Sequence, residues 1–245
     1  MSDAQPPSPK PPPGNAPGNA SGNAELQLGL SRAFGLSRAS GPSRPEHIPP
    51  PKWHRRYLPH CDTRLHFQSI TFRLADSLPR ERLRALEEEL AILPPERIDA
   101  ERRRRIEAWL DAGMGCCALR HPKVAALVRD ALLHFDGERY DLVAWCIMPN
   151  HVHVLIRPND ALPRIVQAWK SFTGRRAMAW NAALELGVPG RSFWMREYWD
   201  RFIRDERHFQ RVIDYIHHNP VKAGLCASPE DWPWSSVGKS GCIEG

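Results

Sequence analysis

The sequence predicts an α+β fold: a small mixed or antiparallel sheet with helices packed on it, in a split βαβ arrangement. Two observations predict it. Segments with apolar residues at every second position alternate along the chain with segments of helical spacing. The two central strand signals, at 140–148 and 151–157, are joined by a turn at Met148-Pro149-Asn150, so they pair as a hairpin.

The elements follow in order. Ordered structure is expected from about Trp53. Leu65–Leu74 has the aromatic and β-branched content of a strand. Leu83, Leu86, Leu90 and Leu93 mark a short amphipathic helix, stopped by Pro94-Pro95. A second helix runs from about Pro95 to Leu110, with Gly113 as its stop, and the two make a helical insertion at about 80–115. The Arg102–Arg105 run invites a DNA-contact reading, but a solvated helix face is the favoured one. A third helix follows His121-Pro122, with Val124, Leu127, Val128 and Phe135 on one side, and Asp136-Gly137 signals a turn.

In the return strand of the hairpin, His151, His153 and Leu155 share one face, and Val152, Val154 and Ile156 the other. A helix from about Leu162 to Ala183 carries Ile165, Val166, Trp169 and Phe172 at helical spacing. The stretch from Phe193 to Arg201 mixes aromatics and charges and fits no element by pattern. The last helix starts at an N-cap, Asp205, and buries Phe209, Val212, Ile213 and Ile216. Pro220 disfavours helical geometry at Asn219, so this helix is expected to bend or end there.

Composition sets the outer bounds. The chain has 245 residues and a formal net charge of +6, a modest basic excess for which nucleic acid is the natural polyanionic partner. It contains no run of about twenty apolar residues, so no membrane span is expected, and no apolar leader at its N-terminus. Cys61, Cys116, Cys117, Cys146, Cys226 and Cys242 contain no C-x-x-C pair. They read as reduced thiols of a cytoplasmic protein rather than a zinc site. Residues 1–50 are rich in proline, glycine and serine, with a short Gly-Asn-Ala repeat, and are expected to be a disordered, passive tail. The ordered domain is expected over 53–237, with a flexible C-terminus at 238–245.

The chemistry concentrates at two places. His151 and His153 project from one face of a strand and form a ready metal pair. Sixty residues on, Tyr215 and Asn219 are four apart and share a helix face. If that helix faces the histidines, two imidazoles, an amide oxygen and a phenol surround one cation. Such a set suits metal-assisted attack of a tyrosine on a phosphodiester. The bland alternatives are two partly exposed histidines and a boundary tyrosine. His208 and His218 sit on the same helix and could tune Tyr215, though a surface position is the favoured reading for each. Lys170 is expected to be free to meet phosphate, and Lys222 is a further candidate contact. Trp194, Tyr198 and Trp199 beside Arg196 and Arg201 either stack and neutralise a single strand or form a packed aromatic corner.

The run from Trp145 to Leu155, with Pro149-Asn150-His151-Val152-His153 at its centre, resembles the HUH signature of single-tyrosine insertion-sequence transposases. The run Tyr215-Ile216-His217-His218-Asn219-Pro220-Val221-Lys222-Ala223-Gly224-Leu225, followed by Trp232-Pro233-Trp234-Ser235-Ser236, resembles the C-terminal signature of the REP-associated tyrosine transposases. Glu197–Arg201 with Arg204-Asp205-Glu206 fits the same group. The resemblance covers roughly residues 60 to 236 and implies a ferredoxin-like sheet with the two histidines on a central strand and the catalytic tyrosine on a C-terminal helix. It implies that His151 and His153 bind a divalent ion, Mg²⁺ or Mn²⁺, with help from Asn219. It implies that Tyr215 is the nucleophile, leaving a 5′-phosphotyrosine and a free 3′-hydroxyl. The substrate class it implies is single-stranded DNA, typically hairpins of repeated extragenic palindromes. The proline-rich N-terminus and the long helical stretch at 80–115 depart from the compact family core.

The expected function is a metal-dependent DNA strand transferase, acting as a monomer or homodimer. The alternatives are a non-catalytic binder of structured single-stranded DNA or RNA, and a hydrolytic nuclease that uses activated water.

Overall fold

The computed structural model describes residues 52–55, 59–62 and 66–238. The segments expected to be disordered, 1–50 and all but the first residue of 238–245, lie outside the described residues. Two short strands, β1 (Lys52–Arg55) and β2 (Pro59–Asp62), pair antiparallel. They are followed by β3 (Gln68–Arg73), α1 (Arg80–Leu90), α2 (Pro95–Asp111), α3 (Pro122–Leu133), β4 (Tyr140–Ile147), β5 (His151–Pro158), α4 (Leu162–Trp180), β6 (Trp199–Phe202) and α5 (Glu206–Lys222). Among the described residues no helix is long and apolar enough to cross a membrane.

The main sheet has four strands in the order β4-β5-β3-β6, and every neighbouring pair is antiparallel. β5 is inserted between β3 and β4, which is the split βαβ of a ferredoxin-like fold. β5, with both histidines, is therefore a central strand. The segment that fitted no element by pattern contains the edge strand β6.

The sheet has two different faces. Ile70, Phe72, Val152, Val154 and Ile156 bury one face against α3 and α4, through Val124, Val128, Leu132, Ile165, Val166 and Trp169. Each such side chain contributes about 1.5–3 kcal/mol by leaving water. Phe172 is not in this core: it is 46% exposed. The inward stripe of α4 steps from Trp169 to Thr173 and Ala177, so helical phase puts threonine inside and the aromatic outside. The buried Thr173 hydroxyl is satisfied, donating to Trp169 O (2.7 Å) and accepting from Trp194 Nε1 (2.8 Å).

The other face carries Thr71, Arg73, His151, His153 and Trp199, because Thr71 pairs with His153 and Trp199, and Arg73 with His151. α5 lies on it, capped at its start by Asp205, whose carboxylate accepts from His208 N at 2.7 Å. The helix does not end at Asn219. The helix runs through Pro220 to Lys222, since proline removes one donor while the following turn closes fully. Gly224 adopts φ +69°, Leu225 N donates to Pro220 O and Gly224 N to Val221 O, which together form a Schellman end.

α1 and α2 form a small core of their own, with Leu78, Leu86, Leu90, Ile106 and Leu110 packed together and Trp199 at its margin. The arginine run is divided by helical phase. Arg102 bonds Glu87 and Asp99 (both 2.7 Å), Arg104 bonds Glu101 (2.7 Å), and Arg105 bonds Glu101 (2.9 Å) and Glu89. These three side chains are committed within the insertion. The hairpin's ends meet at one point: Cys116 N donates to Asp76 Oδ2 at 2.6 Å. A Cβ at Gly115 (φ +87°) would lie 2.8 Å from Asp76 O, so only glycine fits there. After α5 the chain returns to the free edge of β4, where Ile147 N donates to Trp234 O (2.8 Å) and Ser236 N to Trp145 O (2.9 Å).

Candidate active site

His151 and His153 lie two residues apart on β5 and are 1% and 2% exposed. They do turn away from the α3–α4 core, but α5 closes over them, so they are not the half-exposed pair the strand pattern alone allows. Their Nε2 atoms face each other at 2.9 Å. The outer nitrogens are anchored. His151 Nδ1 is 2.7 Å from Asn150 Oδ1, and Asn150 Nδ2 donates to Met114 O at 2.9 Å. Because the amide NH₂ is committed to a carbonyl, the amide oxygen is the atom that meets the ring. His151 Nδ1 therefore carries the proton, and its Nε2 lone pair points inward. His153 Nδ1 lies 2.9 Å from Thr71 Oγ1, its cross-strand neighbour.

α5 brings Tyr215 to the pair. Its ring packs edge-to-face on His153, with centroids 5.4 Å apart and planes at 80°. Asn219, one turn further on, is 1% exposed. The Tyr215 hydroxyl and both polar atoms of the Asn219 amide are buried without a hydrogen-bond partner. Leaving such groups unsatisfied costs on the order of 1–3 kcal/mol each, so their persistence points to a use.

The electrostatics are equally specific. Burial, then His153 and Lys222, hold the His151 imidazole well below its ordinary pKa, and burial with Lys222 lowers His153 to about 3. Both rings are thus neutral at pH 7, the form that ligates a cation. Tyr215 moves the other way. Burial first, then the carboxylate of Glu107, push its phenol well above the ordinary value, and Asp111 adds to this. The Asn219 amide lies close enough to oppose the shift, although it makes no hydrogen bond of normal geometry to the hydroxyl.

These donors fit a divalent cation. Two imidazole nitrogens at about 2.0–2.1 Å from one ion and at a right angle stand roughly 2.9 Å apart, which is the separation of the two Nε2 atoms. The Asn219 oxygen supplies a hard donor of the kind Mg²⁺ and Mn²⁺ take. Among the described residues no group of three or more His, Cys, Asp or Glu side chains could hold a metal, so a third protein donor at this pair would be the Asn219 amide.

The other candidates fare differently. Lys170 is not free: its ammonium donates to Arg196 O at 2.7 Å, because the α4 face beside Trp169 abuts the loop before β6. Tyr198 and Trp194 are both buried in the main core, as a packed aromatic corner would have them. Trp199 is half-buried beneath Arg73, whose guanidinium carbon is 5.7 Å from its ring centroid. Arg196 and Arg201 are exposed. Lys222 donates to Asp111 Oδ2 at 2.7 Å. His208 is buried at the start of α5, where its Nδ1 accepts from Arg204 N, and His218 bonds Asp214 O.

With that geometry in view, comparison with known proteins is informative. Residues 126–219 match the family model for IS200-like transposases. The match begins within α3 and ends on Asn219, so it encloses both histidines and Tyr215 and leaves α1, α2 and β3 outside. The chain is also similar to REP-associated tyrosine transposases. A Haemophilus influenzae protein named for that group is 33% identical over 104 residues, covering 40% of this chain and 58% of the relative. The REP-associated tyrosine transposase of Escherichia coli K12 is 23% identical over 111 residues, covering 45% and 62%. The chain thus spans about three fifths of the length of these relatives. A solved structure of a REP-associated tyrosine transposase bound to a REP hairpin superposes with a TM-score of 0.42 at 19% identity, covering 75% of this chain and 81% of that one.

Four site residues escaped sequence reasoning. Asn150 precedes the histidine pair directly, and an amide beside a candidate ligand histidine was a legible signal. Thr71 becomes a neighbour only through strand register. Glu107 and Asp111, one turn apart on α2, lie outside the IS200-like segment and were hidden in a charged helix.

Proposed function

We propose that this protein is a metal-dependent DNA strand transferase of the transposase type, which cuts single-stranded or hairpin DNA through a covalent tyrosine adduct. The observation that carries the reading is the packing of Tyr215 on His153, with the partnerless Asn219 amide one turn away. Similarity to the REP-associated tyrosine transposases supports the DNA-processing class.

In this reading Tyr215 Oη forms a bond to phosphorus while the bond from phosphorus to the 3′ oxygen breaks. The phenol loses its proton, the 3′ oxygen leaves and is protonated to a hydroxyl, and the 5′ phosphate stays on the tyrosine. The phosphodiester bond energy is kept in the adduct, so a 3′-hydroxyl can reverse the step without a nucleotide cofactor. His151, His153 and Asn219 would hold a divalent cation, Mg²⁺ or Mn²⁺, which supplies charge stabilisation at the scissile phosphate. Asn150 and Thr71 orient the two imidazoles. The phenol needs that help, because burial and Glu107 oppose its ionisation.

The test is Tyr215→Phe, which keeps the ring and its contact with His153 and removes the attacking oxygen. Hairpin binding is expected to persist, while cleavage of a labelled single-stranded flank and the protein–DNA adduct on a denaturing gel both vanish. A mutant that still cuts overturns the nucleophile. Cutting without an adduct in the parent protein favours hydrolysis by water, and binding without cutting favours a non-catalytic binder.

A further inference from the structure

Arg73, the last residue of β3, is only 5% exposed. Of its five N–H donors, one hydrogen bond is accounted for, from Nη1 to Ser77 Oγ at 3.1 Å. No carboxylate forms an ion pair with it among the described residues. A buried cation without a counter-charge is costly, and folded chains retain one where an anion is to be received.

Its place in the sheet says which anion. Arg73 is the register partner of His151, so the two side chains leave the same face of the sheet with Cβ atoms about 4.5–5.5 Å apart. That is the face on which Tyr215 and Asn219 close over the histidines. The Trp199 ring lies to one side of the guanidinium, 5.7 Å from its carbon. That cation–π contact restrains the guanidinium, and only one of its donors is committed to Ser77. Lys170 is a second cation nearby: the pKa of its ammonium is lowered to about 8, first by burial, with Glu197 opposing the shift and Arg73 adding to it. Ser77 Oγ in turn donates to Leu74 O at 2.8 Å, which fixes the loop that steadies Arg73.

We propose that Arg73 is a phosphate-binding residue of this site, its guanidinium taking the non-bridging oxygens of a phosphodiester in the DNA strand that lies beside His151. The inference rests on the strand-transferase reading for the identity of the ligand. The anion site itself stands on burial, register and the missing counter-ion.

The experiment separates the two. Tyr215→Phe protein in chelator, which performs no chemistry, is titrated with a single-stranded oligonucleotide with and without Arg73→Gln. Loss of a hydrogen-bonded charge pair to phosphate predicts roughly 10- to 100-fold weaker binding. The slope of log affinity against log salt is expected to become shallower by about 0.7. Arg73→Lys, which keeps the charge and loses the fork, is expected to restore the salt slope and only part of the affinity. In a second measurement, inorganic phosphate at constant ionic strength is expected to raise the melting temperature of the parent and not of Arg73→Gln. If Arg73→Gln melts lower than the parent but gains as much from phosphate and binds DNA with the same slope, Arg73 is only a brace for Ser77 and the proposal fails. If the parent responds to phosphate through Arg73 but forms no adduct on any strand, the anion site stands and the strand-transferase reading falls. An RNA strand of the same sequence binding as tightly as DNA with the same loss in Arg73→Gln supports the phosphate contact and overturns DNA as the ligand.

Discussion

Lys222 Nζ donates to Asp111 Oδ2 across 2.7 Å, and the same ammonium stands 5.8 Å from the centroid of the Tyr215 ring. One ion pair therefore ties α2 to the helix that bears Tyr215. It occupies a lysine that the sequence marks for phosphate, and it holds a carboxylate near a phenol whose ionisation that carboxylate opposes.

Breaking this tie has a directional outcome. Asp111→Asn is expected to release Lys222, strengthen single-strand binding severalfold and steepen its salt dependence by about 0.7 log units per decade of salt. Lys222 is more than half exposed, which limits what the pair itself contributes to stability, while Asp111 is largely buried. Fluorescence anisotropy across a salt series checks both numbers. An unchanged slope would mean that Lys222 reaches no phosphate.

Metal dependence is expected in two tiers. His151→Ala and His153→Ala are each expected to abolish cleavage, as is chelation of the parent. Asn150→Ala leaves both ligands in place but frees the His151 tautomer, so Mn²⁺ affinity is expected to fall about 10- to 100-fold with cleavage rescued at high metal. Asn219→Ala is expected to weaken metal dependence less, because water can replace an amide oxygen. Full activity in chelator with both histidines removed would sink the metal reading.

Asn219 also offers a stability test. Both of its polar atoms are buried without partners. Asn219→Leu, similar in volume and free of that penalty, is expected to stabilise the metal-free protein by about 1–3 kcal/mol while impairing cleavage. Urea unfolding in chelator reads the first effect. A destabilised variant would show that the amide is satisfied in solution.

Acid should unfold the metal-free protein through the histidine pair. His153 has its folded-state pKa lowered to about 3, against about 6.5 when unfolded, so the unfolded chain binds the proton first. Its contribution to stability is complete above pH 6.5 and is lost as pH falls through the window from 6.5 to about 3. His151 shifts in the same direction. Stability in chelator is expected to fall by about 1.4 kcal/mol per pH unit for each imidazole in that window, and His153→Gln is expected to flatten the slope. An equal slope in parent and variant would assign the acid sensitivity elsewhere.

Much of this was legible in the chain. Period-two and helical spacing located the central hairpin and the flanking helices, and the i, i+2 and i, i+4 rules put His151 with His153 and Tyr215 with Asn219. The elements that failed share a cause. Phe172 looked like core because it is aromatic, but helical phase decides burial, and Thr173 holds the inward position. Pro220 looked like a stop because its effect was weighed without the Schellman end behind it. Thr71, Arg73 and Asp111 join the site only through strand register or helix docking, which local pattern does not carry. Lys170 looked free, and Tyr198 looked open to either stacking or packing, because the segment 193–201, whose Arg196 carbonyl anchors the lysine, has too little periodicity to be placed.

The pinned junction at Asp76 and Gly115-Cys116 makes the α1–α2 hairpin a cassette. The chain leaves the sheet and returns to it at nearly the same point, so closing that loop costs almost the same entropy whatever its length. The hairpin carries its own leucine core and pairs Arg102, Arg104 and Arg105 with its own carboxylates. Helices of other length or charge could be exchanged between residues 78 and 112 while Met114 still holds Asn150 and β3 still offers Thr71 and Arg73 to the histidines. What covers Tyr215 can thus change from one chain to another while His151, His153, Asn219 and Tyr215 stay where the sheet and α5 put them.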